Sequence, residues 1–150
     1  ERQYERIRKA YKLPAFKELD REFNISSIDD KGNLTRKIIE RITDNIEHYT
    51  NVLGELLQPD TSSLRSIYEY KMFNDKDRKR IQEVYKKLMV IVRYSSVVLL
   101  TNNKKEDCRF IKNTYEEWKN TKNEIISVLS TLRDGWKNET TVKEDIAYLG

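Results

Sequence analysis

An all-α helical bundle is the fold this sequence predicts, and three observations predict it. Apolar residues recur at alternating steps of three and four over three long stretches, which keeps each set on one side of an α-helix. Only 4 Gly and 2 Pro occur in 150 residues, too few for the many tight turns of a β sandwich. Charged residues make up 36% of the chain and fall between the apolar ones, as on helices with one wet side. Hydrophobic residues reach only 37%, yet their regular spacing argues against disorder, and the length fits one helical domain over 1–150.

Along the chain, Tyr4, Ile7 and Tyr11 share a helical face. Pro14 is poorly placed inside a helix and well placed to open one, and the piece it opens carries Phe16, Leu19 and Phe23 at the same spacing. Residues 25–33, with two Ser, two Asp and Gly32, read as a loop, and Asn33 stands ready to cap the next helix. The first long helix is expected over 34–58, where Ile39, Ile42, Ile46, Tyr49, Leu53 and Leu56 form the seam and Pro59 forces the end. A short helix with Leu64, Ile67, Tyr68 and Met72 comes next, and Tyr68 and Tyr70 point to different sides of it, so one of them is expected at the surface.

Asn74 or Asp75 caps the second long helix, expected over 75–100 with Ile81, Val84, Leu88, Ile91, Ser95 and Val98 on its seam. In its second half Met89, Val90, Val92, Val97 and Leu99 add apolar groups on the other faces, which predicts protein on all sides there. A buried strand is the alternative for that half, but the seam runs on from Ile81 with a helical period. Asn102 and Asn103 break the chain before the third long helix, expected over 103–134. Its seam is Ile111, Tyr115, Trp118, Lys122, Ile125, Leu129, Leu132 and Trp136, with Lys122 the polar intruder, and Gly135 is expected to mark its end. Thr141 and Glu144 make a capping-box pattern before a last short helix through Ile146 and Leu149. Three long helices with three or four short flanking ones would thus enclose Ile39, Ile42, Ile46, Leu53, Leu88, Ile91, Ile125 and Leu129.

Several chemistries are excluded by composition. No apolar run reaches the about 18 residues of a membrane span, and Leu88 to Leu100 is interrupted by Arg93, Tyr94, Ser95 and Ser96. One cysteine, Cys108, leaves no internal disulfide, and with no leader pattern at the N-terminus a cytoplasmic setting is expected. One histidine and one cysteine leave no zinc site, a di-iron Glu-x-x-His motif fails because Asn45 stands three residues before His48, and no Gly-rich phosphate loop is present. No metal and no cofactor are therefore expected. Among the carboxylate pairs Asp29/Asp30, Glu106/Asp107, Glu116/Glu117 and Glu144/Asp145, only Glu116/Glu117 approaches a helical Mg²⁺ motif, and Asn120 stands where the third acid is needed. Cys108 beside Glu106 and Asp107 is a poor thiolate.

Arg41 and His48, an Arg-x6-His pair in the first long helix, form the enzyme-like spacing in the chain. It resembles the Arg-x4–6-His motif of HEPN-domain proteins, small all-α and often dimeric, many of them metal-independent ribonucleases. The resemblance would make His48 a general acid/base and Arg41 a phosphate clamp in a dimer cleft. Being seven apart, the two also simply share a solvated face with Glu55.

Charge layout carries the remaining signal. Lys+Arg 29 against Asp+Glu 25 gives a net charge of +4. Lys79, Lys86 and Arg93 fall in one row of the second long helix and Arg80, Lys87 and Tyr94 in the next, with Lys76 and Arg78 extending the stripe to a helix N-terminus, where positive charge opposes the dipole. Glu40, Asp44, Glu47 and Glu55 line the outer side of the first long helix. Separate basic and acidic faces are what a subunit uses to choose and orient a protein partner, so a non-enzymatic protein-interaction or structural module is the expected function. The partner is another protein or a second copy joined through uncovered seams. The alternative is nucleic-acid binding, the stripe tracking a phosphate backbone while Tyr70, Tyr85 and Tyr94 offer stacking.

Overall fold

A computed structural model describes residues 1–29 and 31–138. The described residues form α1 (Arg2–Tyr11), α2 (Phe16–Phe23), α3 (Leu34–Leu57), α4 (Leu64–Lys71), α5 (Asp75–Thr101) and α6 (Lys104–Trp136), with a 3₁₀ turn at Ile25–Ser27 and no strand. The fold is an all-α bundle with three long helices and short ones around them. Asp30, half of the Asp29/Asp30 pair, lies outside the described residues, as do the Thr141–Glu144 capping box, the short helix expected through Ile146 and Leu149, and the Glu144/Asp145 pair.

The caps explain where the long helices start. Asn33 Oδ1 accepts from the Arg36 N–H, Asn74 Oδ1 from the Asp77 N–H at 2.8 Å, and Asn103 Oδ1 from the Lys105 and Glu106 N–H groups. Asn102 ends α5 in the left-handed conformation, φ 52°, which Asn tolerates better than most residues. The expected loop at 25–33 contains the 3₁₀ turn because Asp20 accepts from the Ser26 N–H at 2.7 Å and Ile25 is buried beneath it.

The chain groups into two compact units, Glu1–His48 with Leu88–Asn120, and Tyr49–Lys87 with Thr121 onward, so α3, α5 and α6 each supply a stretch to both. In the first unit Tyr4, Leu19, Phe23, Ile39, Ile42, Ile46, Leu88 and Phe110 are almost wholly buried. Tyr4 donates its hydroxyl to the Pro14 carbonyl at 2.7 Å, and Trp118 packs on Phe23 while donating its indole N–H to Glu22 at 2.9 Å. Arg36 ties α3 to the end of α5, giving one hydrogen bond to the Leu99 carbonyl at 2.7 Å and another to Asn102 Oδ1 at 2.8 Å.

In the second unit Leu53, Leu56, Tyr68, Phe73, Ile81, Val84, Ile125 and Leu132 are buried. Gly135 does not end α6, which continues to Trp136. A Cβ there would make the flexible end of the Met72 side chain shift, and the Gly135 carbonyl accepts from the Tyr68 hydroxyl at 2.9 Å. Trp136 packs against Tyr68, the rings tilted with centroids 4.6 Å apart, and donates to Glu69 at 2.8 Å. That polar tip keeps Trp136 at the surface, 42% exposed, although its spacing put it on the seam. Leu129, expected in the core, is only half-buried, as are its neighbours Val128 and Ser130.

Candidate functional site

The residues singled out for partner binding all lie on α5, and its two stretches differ. In the second unit Lys76, Lys79, Arg80, Lys86 and Lys87 are exposed or nearly so. Lys86 stands 3.7 Å from Glu83 one turn earlier, a solvated pair that leaves the cation available. Arg78 is not among them. Its guanidinium donates to the Phe73 carbonyl and, at 3.1 Å, to the Tyr70 carbonyl, pairs with Asp75 at 2.8 Å, and lies 4.3 Å over the Tyr70 ring. It thus ties the start of α5 to carbonyls at and just beyond the C-terminal end of α4. The same contact corrects the expectation for the two tyrosines: Tyr68 is buried and Tyr70 is half-covered by Arg78, so neither is freely exposed.

In the first unit Arg93 is exposed, while Tyr94 is half-buried with its ring edge-on to Phe110 at 5.2 Å. The expectation of protein on all sides of this stretch is overturned. Val90, Val97 and Leu100 are 68%, 59% and 88% exposed, while Leu88, Ile91, Val92, Ser95 and Val98 face the interior. The helix is simply one-sided, and its surplus apolar residues form a stripe at 90, 97 and 100 with Arg93 between them.

The acidic positions are exposed as well: Glu40, Asp44 and Glu47 in the first unit, and in the second Glu55, 3.4 Å from Arg65 of α4. Arg41 is half-buried and His48 exposed. Seven residues of helix separate them by about 10 Å along the axis, two turns on one face. Glu116 pairs with Lys119 at 2.9 Å, the solvated arrangement expected of that carboxylate pair. Among the described residues no three His, Cys, Asp or Glu side chains converge as a metal site would need, and no described helix is long and apolar enough to cross a membrane.

Two buried titratable groups open α6 in the first unit. Asp107 is almost wholly buried, and its Oδ1 has no hydrogen-bond partner. Burial raises its pKa above the usual carboxylate value, opposed by the Arg36 guanidinium, the Thr35 hydroxyl and Lys104. Next to it, burial and then the Asp107 charge push the Cys108 thiol up to about 11, so it is held neutral.

Each unit also has a concave region of its own. Tyr4, Phe16, Ile25, Ile28, Leu34 and Ile38 line an apolar pocket of about 240 Å³ in the first. The second unit has a groove of about 330 Å³ between Asp77–Val84 of α5 and Asn123–Thr131 of α6, with Phe73, Ile81, Val84 and Val128 as its floor and Asp77, Arg80 and Glu124 at its rim. No family model matches the chain, and comparison with curated proteins and with solved structures finds no match. Function therefore has to be argued from the side chains themselves. The sequence pattern did contain Val90 and Val97, but as buried positions, and Asp107 as one of the acids beside Cys108; Arg36 had no signal in it, because its role depends on where α3 meets the end of α5.

Proposed function

We propose that the protein is a non-enzymatic interaction module that docks a protein partner on the outer side of α5. The observation that carries this reading is the stripe Val90, Val97 and Leu100, exposed on a helix whose opposite side is packed into the core. Apolar groups arranged along one helix face gain most when another apolar surface covers them. The charges around the stripe state what that surface carries. Arg93 lies between its members, and Lys86 and Lys87 come one turn before Val90 in the chain, so the partner face is apolar with carboxylates at its margin.

A photo-crosslinking side chain placed at Val97, with one at Glu40 as control, tests the reading. A crosslinked protein is expected at 97 and not at 40, and Val90→Asp with Val97→Asp is expected to lower its yield about tenfold or more while helicity stays unchanged. Equal labelling at both positions, or none, would overturn it, and a crosslinked homodimer would make the partner a second copy of this chain.

A second reading rests on a different observation, the five cations Lys76, Lys79, Arg80, Lys86 and Lys87 that the second unit presents to solvent. They support binding to a phosphate backbone, with affinity falling steeply as salt rises. A gel-shift series with single-stranded RNA and duplex DNA at two salt concentrations tests it. RNA shortened in that assay would bring Arg41 and His48 forward as a ribonuclease pair.

A further inference from the structure

The outer stripe of α5 in the first unit has the spacing of a second seam. Val90, Arg93, Val97 and Leu100 are exposed and step by three, four and three, the rhythm that Leu88, Ile91, Ser95 and Val98 keep on the buried side. At about 100° per residue Val90 stands about 200° round the helix from Leu88, as Val97 does from Ser95, so the two seams lie back to back. The outer one is a single row about 15 Å long, roughly three helical turns. Met89 and Tyr94 on its flanks are half-buried, and Ser96 beside it is polar.

We propose that the partner inferred above is a single amphipathic α-helix whose apolar seam is flanked by carboxylates, laid along α5 at these four positions. The proposal rests on the docking reading and gives its partner a form and a charge. A narrow row at three-four spacing is what a facing helix interdigitates with, because its own seam has the same period. An extended peptide would instead need unpaired backbone groups to bond to, and this stretch lies inside a helix that bonds its own backbone. The charges set the flanks. Residues 84–105 include Lys86, Lys87, Arg93, Lys104 and Lys105 and no Asp or Glu, so acids beside the partner's seam find cations along α5 and just past its end. A second copy does not meet that need: a two-fold contact of this seam on itself sets like cations together with no acid of the stretch to pair with them. A lipid surface takes up helices with a broad apolar face that includes aromatic rings, whereas Tyr94, beside the seam, is packed edge-on against Phe110.

Three fluorescein-labelled synthetic peptides of about 21 residues, long enough for a helix that spans the row, test this against the full chain by fluorescence polarisation. One has Leu at its seam positions and Glu on the flanks, one has Lys in place of each Glu, and one is the Glu peptide broken by a central Pro. The Glu peptide is expected to bind, and the other two to bind at least about tenfold more weakly. Val90→Gln with Val97→Gln, which removes the apolar row without adding charge, is expected to weaken the Glu peptide about tenfold at unchanged helicity, and Arg93→Gln to narrow its advantage over the Lys peptide. A Glu peptide that fails to bind, a Pro peptide that binds as well, or binding untouched by the Gln pair would overturn the proposal. Co-sedimentation of the chain with vesicles of phosphatidylcholine and phosphatidylserine, abolished by the Gln pair, would overturn it too and give the stripe to a lipid surface. Crosslinking of a protein at Val97 alongside a failed Glu peptide would leave the docking reading standing and remove only the helical form of the partner.

Discussion

The two stretches of α5 belong to one helix, yet they offer solvent opposite chemistry. Asp75–Lys87 exposes cations and buries Ile81 and Val84; Leu88–Thr101 exposes Val90, Val97 and Leu100 and buries an equally regular seam. Both stretches have the same apolar period on the inside, so the difference lies only in what fills the outside. The inner period specifies the fold, and the outer residues are free to specify partners. A lysine on the outside is ordinary for a solvated helix. Three apolar side chains there are not, because water gives them nothing, and this is why the stripe carries more functional weight than the cations.

The largest expected effect separates inside from outside within two residues. Leu88→Ala removes a fully buried side chain and is expected to cost about 2–5 kcal/mol of stability. Val90→Ala, mostly exposed, is expected to change stability by less than about 0.5 kcal/mol. Urea unfolding midpoints of the two variants check both. A large loss at Val90 would mean that the stripe is packed and would remove the basis of the interaction reading.

Next in size is the clamp at the end of the apolar stretch. Arg36→Ala removes two hydrogen bonds from a charged donor, to the Leu99 carbonyl and to Asn102, and is expected to cost about 1.5–3 kcal/mol. It also removes the strongest influence holding the Asp107 pKa down. The variant should therefore lose more stability at neutral pH than in acid, which unfolding at two pH values measures.

Much of this was legible in the sequence and some was not, for physical reasons. The long helices begin and end within about two residues of the positions read from Asn33, Pro59, Asn74 and Asn103, because capping and breaking are local chemistry carried by the residue itself. The exposure of Val90 and Val97 was not legible. An apolar residue off the seam fits both a helix wrapped by neighbours and a one-sided helix with a docking stripe, and only the number of neighbours distinguishes them. Arg78 shows the same limit in reverse. Its place in the basic row is plain from spacing, but its use as a clamp on α4 depends on where the Tyr70 and Phe73 carbonyls end. Gly135 stands one residue inside the end of α6, so the stop it predicts falls within the usual scatter of helix ends.

A smaller effect is expected at Asp107, just beyond the apolar stretch. Its pKa is raised in the folded protein, chiefly by burial, so the fold holds a proton more tightly than the unfolded chain. That contribution is complete below the unfolded carboxylate value, near 3.8, and is lost as pH rises through the higher folded value. Asp107→Asn keeps the shape and abolishes the ionisation. It is expected to raise stability near pH 7 by on the order of 1 kcal/mol and to flatten the fall between acid and neutral pH. An unchanged pH profile would show that water or movement of Arg36 satisfies the carboxylate.

The smallest expected effect on stability comes from the cationic stretch, and it sharpens the comparison most. Lys79, Arg80, Lys86 and Lys87 all reach solvent, so neutralising all four to Gln should leave the melting behaviour within about 0.5 kcal/mol of the parent. Glu83 lies 3.7 Å from Lys86, and losing so solvated a pair changes little. Binding should respond differently according to what α5 meets. If a phosphate backbone is the ligand, affinity and its salt dependence should both collapse, because each cation lost releases one counterion fewer. If a protein with marginal carboxylates is the ligand, the main change should be slower association with a weaker salt response, and crosslinking at Val97 should survive. Loss of helicity in the variant would break the comparison itself, since it would mean that these four side chains do not face solvent.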